Sequence, residues 1–178
     1  MLPITPAGNE IFVRRQYHRL VPEPTLLKGF VEERRALDDG GTATSGERVE
    51  VVLTLEAKND YEYLVVEDLK PAGLEAVQVR SGEALYAREI KSGAVERPDG
   101  TREAADYTGR SRWVSQELRD RKVALFIDKL PQGVWEIRYE LRAEVPGDFH
   151  ALPALVHAMY VPEIRANGAE VRLTVEDR

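Results

Sequence analysis

The sequence predicts an all-β protein in which short antiparallel strands pack as a sandwich. The strongest observation is the alternation of apolar and charged residues over residues 134–145 (VWEIRYELRAEV). Because successive side chains point to opposite faces of a strand, this segment has one apolar and one charged face, as in an antiparallel sheet that is packed on one side. A second observation is that most gaps between such segments contain Gly, Pro, Asn or Asp, which form short turns.

Six further segments are predicted to be strands, from their alternation or their apolar runs. They are residues 11–17, 49–57, 61–66, 123–127, 155–160 and 171–175. Residues 123–127 (VALFI) are apolar throughout, which is typical of a central strand that is buried on both faces. No apolar run approaches the roughly 20 residues that a membrane-spanning helix needs, so no membrane span is expected.

Proline and glycine mark the predicted corners between strands. Residues 70–73 (KPAG), 97–100 (RPDG) and 130–133 (LPQG) each have Pro in the second place and Gly in the fourth, which predicts type I turns. Residues 145–148 (VPGD) have Gly in the third place, where a type II turn needs a positive φ. The stretch 63–77 is therefore predicted to be a strand, a corner and a new strand.

Two regions lack a clear strand pattern. Residues 38–47 (DDGGTATSGE) are polar and rich in glycine, which predicts an exposed hairpin tip or surface loop. The alternation also fades over residues 80–112, where we predict an irregular insertion, with residues 83–90 (EALYAREI) as a candidate for a short helix. The length predicts one domain over residues 9–178, preceded at residues 1–8 by a linker or the cut end of an excised piece.

The composition excludes several classes of function. The chain has 25 Lys and Arg residues and 31 Asp and Glu residues, and the two signs are interspersed, so no basic face for nucleic acid is expected. It contains no cysteine, which excludes disulfides, thiol nucleophiles and cysteine-ligated zinc. The first ten residues have neither the basic start nor the apolar core of an export signal.

No catalytic or cofactor motif is present in the sequence. His18, His150 and His157 lack the spacing of a metal site, and no glycine-rich phosphate loop or serine-nucleophile motif occurs. Glu67 and Asp68 could act as an acid and a base, but beside a turn they are predicted to be a solvated strand end. We therefore expect no enzyme activity, no cofactor and no metal.

The two tryptophans are predicted to pack rather than to bind a ligand. Trp135 lies on the apolar face of its segment, and Trp113 is expected to pack under the predicted insertion. A carbohydrate-binding platform would instead require Trp113, Tyr107 and Tyr86 to be exposed and coplanar.

Four segments, in this order, resemble the C-terminal domain of bacterial alpha-2-macroglobulins. They are residues 63–77 (YLVVEDLKPAGLEAV), 119–126 (RDRKVALF), 130–149 (LPQGVWEIRYELRAEVPGDF) and 158–165 (AMYVPEIR). The EDLKPAGL corner and the AMYVPE segment are the most specific of these. The likeness covers residues 10–176 and implies an immunoglobulin-like antiparallel β-sandwich of the macroglobulin type, in agreement with the periodicity.

The resemblance implies a part in protease inhibition. Members of this family trap proteases: a bait region is cut, the molecule changes shape, and a Cys-Gln thioester attaches to the attacking protease. This chain has no cysteine and cannot form that bond, so we expect the excised last domain of such a protein rather than a stand-alone relative. The implied partners are the thioester-bearing domain and other macroglobulin domains of the parent protein. The target protease is reached only through the full-length protein, and the implied location is the periplasm or cell envelope.

The resemblance also places this terminal domain against the thioester-bearing domain, where it helps to shield the thioester from water. The predicted contact residues are Met159, Tyr160, Pro162 and Glu163. Pro162 ends the β-ladder, so the chain is expected to leave the sheet just after Tyr160. Since neighbours in a strand face opposite ways, at least one of Met159 and Tyr160 should point outward, and we predict that Tyr160 does.

Two other classes of protein stay open at this point. A structural repeat of a bacterial surface adhesin is also a β-sandwich and often has a corner like residues 68–74, but such repeats are rich in Thr and Asn, whereas this chain prefers Glu, Arg and Ala. A carbohydrate-binding module would need the exposed aromatic platform described above.

Overall fold

The structure, a computed structural model, describes residues 4–77, 84–90 and 107–178. These residues form strands and no helix, and hence contain no helix that is long and apolar enough to cross a membrane. In chain order the strands are β1 (Ala7–Gly8), β2 (Ile11–Thr25), β3 (Gly29–Leu37), β4 (Gly41–Thr44), β5 (Arg48–Ala57), β6 (Tyr61–Asp68), β7 (Leu74–Ala76), β8 (Leu85–Ile90), β9 (Tyr107–Leu118), β10 (Val123–Leu130), β11 (Gly133–Ala143), β12 (Gly147–Ala151), β13 (Leu155–Ala158), β14 (Arg165–Asn167) and β15 (Val171–Glu176).

The strands form two layers with the core between them. One layer has the order β1-β14-β13-β6-β10-β9, and the other has the order β8-β11-β5-β2-β3, with β7 also paired to β11. β9 belongs to both layers, because its C-terminal residues pair with β10 and the residues before them pair with β8. A separate small sheet has the order β12-β15-β4. The predicted all-β sandwich, an immunoglobulin-like fold with antiparallel pairing in both main layers, is confirmed.

The core follows the predicted alternation. Along β11, Trp135, Ile137 and Leu141 are fully buried between the layers. Trp135 also donates its indole N–H to the Pro131 carbonyl at 2.8 Å, so its predicted role in packing is confirmed. Residues 123–127 lie in β10 between β6 and β9, as predicted for a central strand. The largest fully buried side chains are those of Trp135, Ile11, Leu53, Leu55, Leu64, Leu74, Leu125, Ile127, Leu130, Ile137, Leu141 and Val49.

The predicted irregular insertion over residues 80–112 is wrong where the structure describes it. Residues 83–90 were a candidate for a helix, but Leu85–Ile90 form β8, which pairs with both β9 and β11. Ala87 and Glu89 are buried on one face of β8 while Tyr86 and Arg88 are exposed, so the segment has a period of two. Its six residues are too few for the sequence alone to distinguish this period from a helical one. The predicted turn at residues 97–100 lies outside the described residues.

The polar segment 38–47 is also more ordered than predicted. Gly41–Thr44 form β4, which pairs in parallel with the C-terminal strand β15. Ala43 is buried in the core, and the Ser45 amide donates to the Glu176 carbonyl at 2.9 Å. The prediction of an exposed loop fails here because backbone pairing with β15 and one small apolar side chain are enough to bury part of a polar segment.

The predicted corner after β6 is present, with its hydrogen bond one residue later than expected. The Leu74 amide donates to the Pro71 carbonyl at 3.1 Å, which closes the turn before β7. Gly73 is needed for space: a Cβ atom built on it would lie 2.2 Å from the Phe149 ring. At the predicted corner over residues 145–148, between β11 and β12, Gly147 has the positive φ that was predicted, 147°.

A polar network lies in the interior and overturns the prediction for Asp68. Asp68 is fully buried rather than solvated. Its carboxylate accepts a hydrogen bond from Arg15 at 2.5 Å and another from the Tyr139 hydroxyl. Arg15 is buried as well, and its guanidinium also donates to the carbonyls of Leu69 at 3.3 Å and Ala151 at 3.1 Å. The network therefore ties β2 to the corner after β6, to β11 and to the end of β12.

Burial and charge together set the protonation of this network. Burial disfavours the charged guanidinium, but the neighbouring Asp68 carboxylate outweighs that effect and raises the pKa of Arg15. Burial raises the pKa of Tyr139 well above its ordinary value, and the charge of Asp68 raises it further. The same two causes raise the pKa of Tyr17, which lies under the Arg15 guanidinium at 5.1 Å. Arg15 and Asp68 are thus an ion pair, and both tyrosines stay protonated.

Candidate interaction site at the β13–β14 loop

Residues 159–164 connect β13 to β14 and contain all four predicted contact residues. The Ala158 amide donates to the Ile164 carbonyl at 3.0 Å, and the Ile164 amide donates to the Val161 carbonyl at 3.0 Å. Pro162 therefore occupies the second position of a tight turn, where its ring fixes φ in advance. β13 ends at Ala158, so the chain leaves the sheet two residues earlier than the predicted exit after Tyr160.

The apolar side chains at positions 159–162 of this loop are exposed, whereas Ile164 packs against the core. Tyr160 is 74% exposed and Met159 is 47% exposed. Val161, Pro162 and Glu163 are exposed too. The sequence required only one of Met159 and Tyr160 to face outward; the loop exposes both because the chain has already left the strand.

Tyr63 of β6 holds Tyr160 in place, a contact that the sequence analysis did not identify. The two rings meet edge to face with their centroids 5.3 Å apart. The Tyr63 carbonyl accepts the Met159 amide at 2.9 Å, so one residue supports both neighbours in the loop. In the structure Glu62 and Tyr63 are both exposed, so the alternation between the two faces of the strand is broken there. The sequence Tyr61, Glu62, Tyr63 is the only local hint of this break.

The backbone of Tyr63 is strained. Its φ is 53°, the left-handed region that a bulky residue rarely adopts. Such a conformation costs about 1–3 kcal/mol and persists only where the surrounding structure holds it. In this conformation the Tyr63 ring lies outside the core, beside Tyr160.

The other side of the loop borders an open cleft of about 860 Å³. Met159, Pro162 and Glu163 line it, together with residues of β1, β13 and β14. Asn9 fixes this side of the loop, because its side-chain amide donates to the Glu163 carbonyl at 2.8 Å. The predicted site residues therefore divide into two groups: Met159, Pro162 and Glu163 border the cleft, and Tyr160 contacts Tyr63.

The described residues show no metal-binding cluster at this loop or elsewhere. Within residues 4–77, 84–90 and 107–178, no group of three or more His, Cys, Asp or Glu side chains is arranged to hold a metal ion. His18, His150 and His157 lie on three different strands, β2, β12 and β13. The arrangement offers apolar surface on a braced loop, which suits contact with another surface.

The aromatic residues considered for a carbohydrate platform lie in the other layer. Tyr86 and Trp113 are directly opposite each other in the β8–β9 pairing, and both are exposed. Trp113 is 57% exposed, so the prediction that it packs under an insertion is wrong. The side chain of Tyr107, the third member of that platform, is outside the described part of the chain.

The fold defines a macroglobulin-type β-sandwich domain, and the loop 159–164 is an exposed feature of it. Residues 11–163 match the family described as the bacterial alpha-2-macroglobulin MG10 domain. The chain belongs to this family. A surface-adhesin repeat, the alternative that the sequence left open, is a different class from the family that matches.

Two curated relatives and one solved structure illustrate the similarity. An alpha-2-macroglobulin homolog of Nostoc sp. is 31% identical over 143 residues, which are 80% of this chain and 7% of that protein. Alpha-2-macroglobulin of Xylella fastidiosa is 27% identical over 131 residues, 72% of this chain and 7% of that protein. The crystal structure of native Escherichia coli alpha-2-macroglobulin from domain MG7 to the C-terminus aligns with a TM-score of 0.64 at 25% identity, covering 96% of this chain and 24% of that one. The chain thus spans a small fraction of its relatives.

Proposed function

We propose that this chain is a non-catalytic contact domain of a longer alpha-2-macroglobulin-type protease inhibitor. In the parent protein, the loop 159–164 packs against the thioester-bearing domain and shields the thioester from water. The observation that carries the proposal is the exposure of Tyr160 and Met159 on a loop that the domain itself holds in place. Protease inhibition, and a place outside the cytoplasm, are properties that we propose for the parent protein by analogy with its family.

Apart from the contact between Tyr160 and Tyr63, the exposure of these side chains leaves them little packing among the described residues. Tyr160, Met159 and Val161 are adjacent in the chain, and Tyr63 extends the same surface. Single exposed apolar residues are ordinary on a protein surface, but a contiguous group on one loop is typical of a contact site. A large aromatic ring beside a flexible thioether can fill an irregular pocket in a partner.

The loop is also fixed before any partner binds. The turn at Pro162, the hydrogen bond from Asn9 and the strained backbone of Tyr63 each restrict it. Ordering a side chain at an interface costs about 0.5–1.5 kcal/mol, so a loop that is already ordered loses less on binding. This preorganisation supports a permanent contact between domains.

The chemistry of a thioester explains why such a contact is useful. Water hydrolyses a thioester, and a closed apolar surface that excludes water slows side reactions of this kind. The ring of Tyr160 can supply that surface, while its hydroxyl can bond to a polar group of the neighbouring domain. The thioester itself must come from elsewhere in the parent protein, because this chain contains no cysteine.

The test replaces Tyr160 in the full-length parent protein and measures thioester hydrolysis as the release of free thiol. We expect Tyr160→Ala to speed hydrolysis by about tenfold, the effect of losing roughly 1.4 kcal/mol of protection. Tyr160→Phe should restore most of the protection if the ring excludes water, and Tyr63→Ala should have a smaller effect than Tyr160→Ala because it removes only the brace.

Tyr86→Ala is the matched control, since Tyr86 is also an exposed tyrosine but lies in the other layer. It should leave the hydrolysis rate unchanged. An unchanged rate in Tyr160→Ala would remove the proposed shielding role.

A further inference from the structure

The β2–β3 hairpin extends beyond its pairing with β5 as a two-stranded arm. β2 pairs with β5 only as far as Leu20, opposite Arg48, whereas its pairing with β3 continues to Thr25, opposite Gly29. We define the arm as residues 21–33. The sequence predicted a strand only over residues 11–17, so the whole arm lies outside that prediction.

The tip of the arm carries the most exposed apolar side chains of the described residues. Leu26 is fully exposed, Leu27 is 97% exposed and Phe30 is 77% exposed. Val31, the next residue along β3, is exposed as well. Among the described residues, none covers this apolar tip, which includes more large apolar side chains than the ring pair at Tyr160.

Hydrogen bonds and ion pairs restrain the backbone of the tip although its apolar side chains are exposed. The Thr25 hydroxyl donates to the Gly29 carbonyl at 3.0 Å and accepts the Lys28 amide at 3.2 Å. Gly29 has φ 71°, which closes the three-residue turn without strain because glycine has no Cβ. On the strands below, Arg35 pairs with Glu33 at 2.8 Å and also with Glu23 across the hairpin. The backbone of the arm therefore holds its apolar residues together at the tip.

On its β2 side, the arm is protected against pairing with another strand, whereas β3 is the last strand of its sheet. Pro22 and Pro24 lie inside the β2–β3 pairing although they have no amide hydrogen. Their positions must therefore be those at which an N–H would point away from β3, to the open edge. Proline on an edge strand blocks further pairing, so a partner on the β2 side meets side chains rather than backbone.

The size of the tip favours a partner in the same polypeptide over a second copy of the chain. Three or four apolar side chains bury a few hundred Å² at most, whereas a stable protein–protein interface buries about 1,200–2,000 Å². A covalent link supplies a high effective concentration and lets a small contact persist. The chain covers only 7% of each curated relative, so on the proposed function most of the parent protein lies outside it.

The tip and the loop 159–164 lie near opposite ends of β2. Asn9, which bonds to the loop, lies two residues before the start of β2, and the tip follows the end of the same strand. At about 3.3 Å per residue, the fifteen residues of β2 span up to about 50 Å. A single neighbouring surface would have to be as long as the domain itself to cover both.

We propose that the arm inserts Leu26, Leu27 and Phe30 into an apolar pocket on a second domain of the same parent protein, distinct from the domain that faces residues 159–164. This inference rests on the proposed function in one respect, namely that the chain is part of a longer protein. The arm then fixes the orientation of this domain while the loop makes the other contact.

The experiment measures alkylation of a single introduced thiol in the full-length parent protein. Leu27→Cys is treated with N-ethylmaleimide, in native buffer and in urea, and modification at position 27 is followed by peptide mass spectrometry. We expect the native rate to be at least tenfold lower than the rate in urea, and to stay the same when the protein is diluted a hundredfold. Lys28→Cys, which keeps all the apolar residues of the tip, should be protected in the same way.

Equal native and unfolded rates at both positions would overturn the proposal, because the tip would then be free. Protection that disappears on dilution would also overturn it and would assign the tip to a second copy. Thiol release from the thioester, measured in the same parent protein, separates the two proposals. A free tip together with faster hydrolysis in Tyr160→Ala refutes only the proposed arm contact. A protected tip together with unchanged hydrolysis in Tyr160→Ala refutes only the proposed shielding of the thioester.

Discussion

Two regions of this domain depart from the usual distribution of side chains: one buries charged groups, and the other exposes large apolar groups. Between the layers, Arg15 and Asp68 form an ion pair in the core. On the surface, Leu27 at the arm tip and Tyr160 in the β13–β14 loop are exposed to water. The difference lies in their partners: the buried charges are paired within the domain, whereas the exposed apolar groups have almost none.

This contrast separates stability from function. A buried ion pair is costly to break because the remaining charge is left without water or a partner. An exposed apolar side chain adds little to the stability of its own domain, so its presence on a fixed loop calls for another reason. The interior network is therefore expected to control folding of the domain, and the exposed surfaces are expected to control its contacts.

The largest expected effect comes from breaking the interior ion pair. Arg15→Met should lower the free energy of unfolding by about 3–5 kcal/mol, since it leaves Asp68 buried and charged. Urea titration of the 178-residue chain measures this. Arg14→Met is the matched control on the same strand, because Arg14 is exposed, and it should cost under about 0.5 kcal/mol. Equal costs for the two variants would contradict a structural role for the pair.

High pH should weaken the same region. Tyr17 and Tyr139 have pKa values well above 10.0 in the fold, chiefly because they are buried. The unfolded chain releases these protons near pH 10, so the stability they contribute is complete below pH 10 and is lost as the pH rises toward their folded pKa values. At pH 11 the two together account for a loss of about 3 kcal/mol.

Urea titrations at pH 8 and pH 11 test this, and Tyr17→Phe should remove about half of the difference. Tyr160→Phe, which changes an exposed tyrosine, should keep the full loss. If Tyr17→Phe showed the same loss as the unmodified chain, alkaline unfolding would have another origin.

The two buried tyrosines should differ from each other at neutral pH. The Tyr139 hydroxyl donates to Asp68, whereas the Tyr17 hydroxyl has no hydrogen-bond partner among the described residues. Tyr139→Phe should therefore cost about 1.5–3 kcal/mol, the range for a hydrogen bond to a charged group, and Tyr17→Phe under about 0.5 kcal/mol. Thermal and urea unfolding compare them directly. A larger cost for Tyr17→Phe would contradict this, because it would mean that the Tyr17 hydroxyl makes an interaction that stabilises the fold.

Gly73 tests how closely the corner packs against the core. Gly73→Ala should cost about 1–3 kcal/mol because its Cβ would overlap the Phe149 ring. Pairing it with Phe149→Leu, which removes part of the ring, should reduce that cost in a double-mutant cycle of unfolding free energies. Additive costs in the cycle would show that the two residues do not share this space.

The smallest expected effect is at the exposed surfaces. Tyr160→Ala and Leu27→Ser should each change the unfolding free energy of the 178-residue chain by under about 0.5 kcal/mol. Their stability is measured beside that of Arg15→Met under the same conditions. A loss of 2 kcal/mol or more from either would place that residue in the core of this domain and remove the contrast.

Particular segments show how far the sequence could predict the fold. Residues 134–145 and 123–127 gave the right strands, because a one-sided or fully buried strand leaves a clear pattern in its own residues. The segment 83–90 did not, since β8 is short and its pairing partners are distant in the chain. The arm was missed for a similar reason: Pro22 and Pro24 argue against a strand unless one knows that they lie on an open edge.

The candidate site divides in the same way. The segment 158–165 marked Met159 and Tyr160 as contact residues through its resemblance to a family and through Pro162. Tyr63 could not be linked to Tyr160, because their contact joins residues about a hundred positions apart and depends on a strained backbone. That these residues touch a thioester-bearing domain stays a prediction.

The sequence by itself determined the all-β class, the apolar face of each regular strand and the resemblance to the family. These follow from local periodicity and from short motifs of neighbouring residues. Only the tertiary structure decided that Asp68 is buried beside Arg15, that Tyr63 supports Tyr160, and that the arm leaves its leucines in water. Each of these depends on which strands meet in space. A carboxylate next to a turn has the same sequence whether it faces solvent or an arginine from a strand fifty residues away.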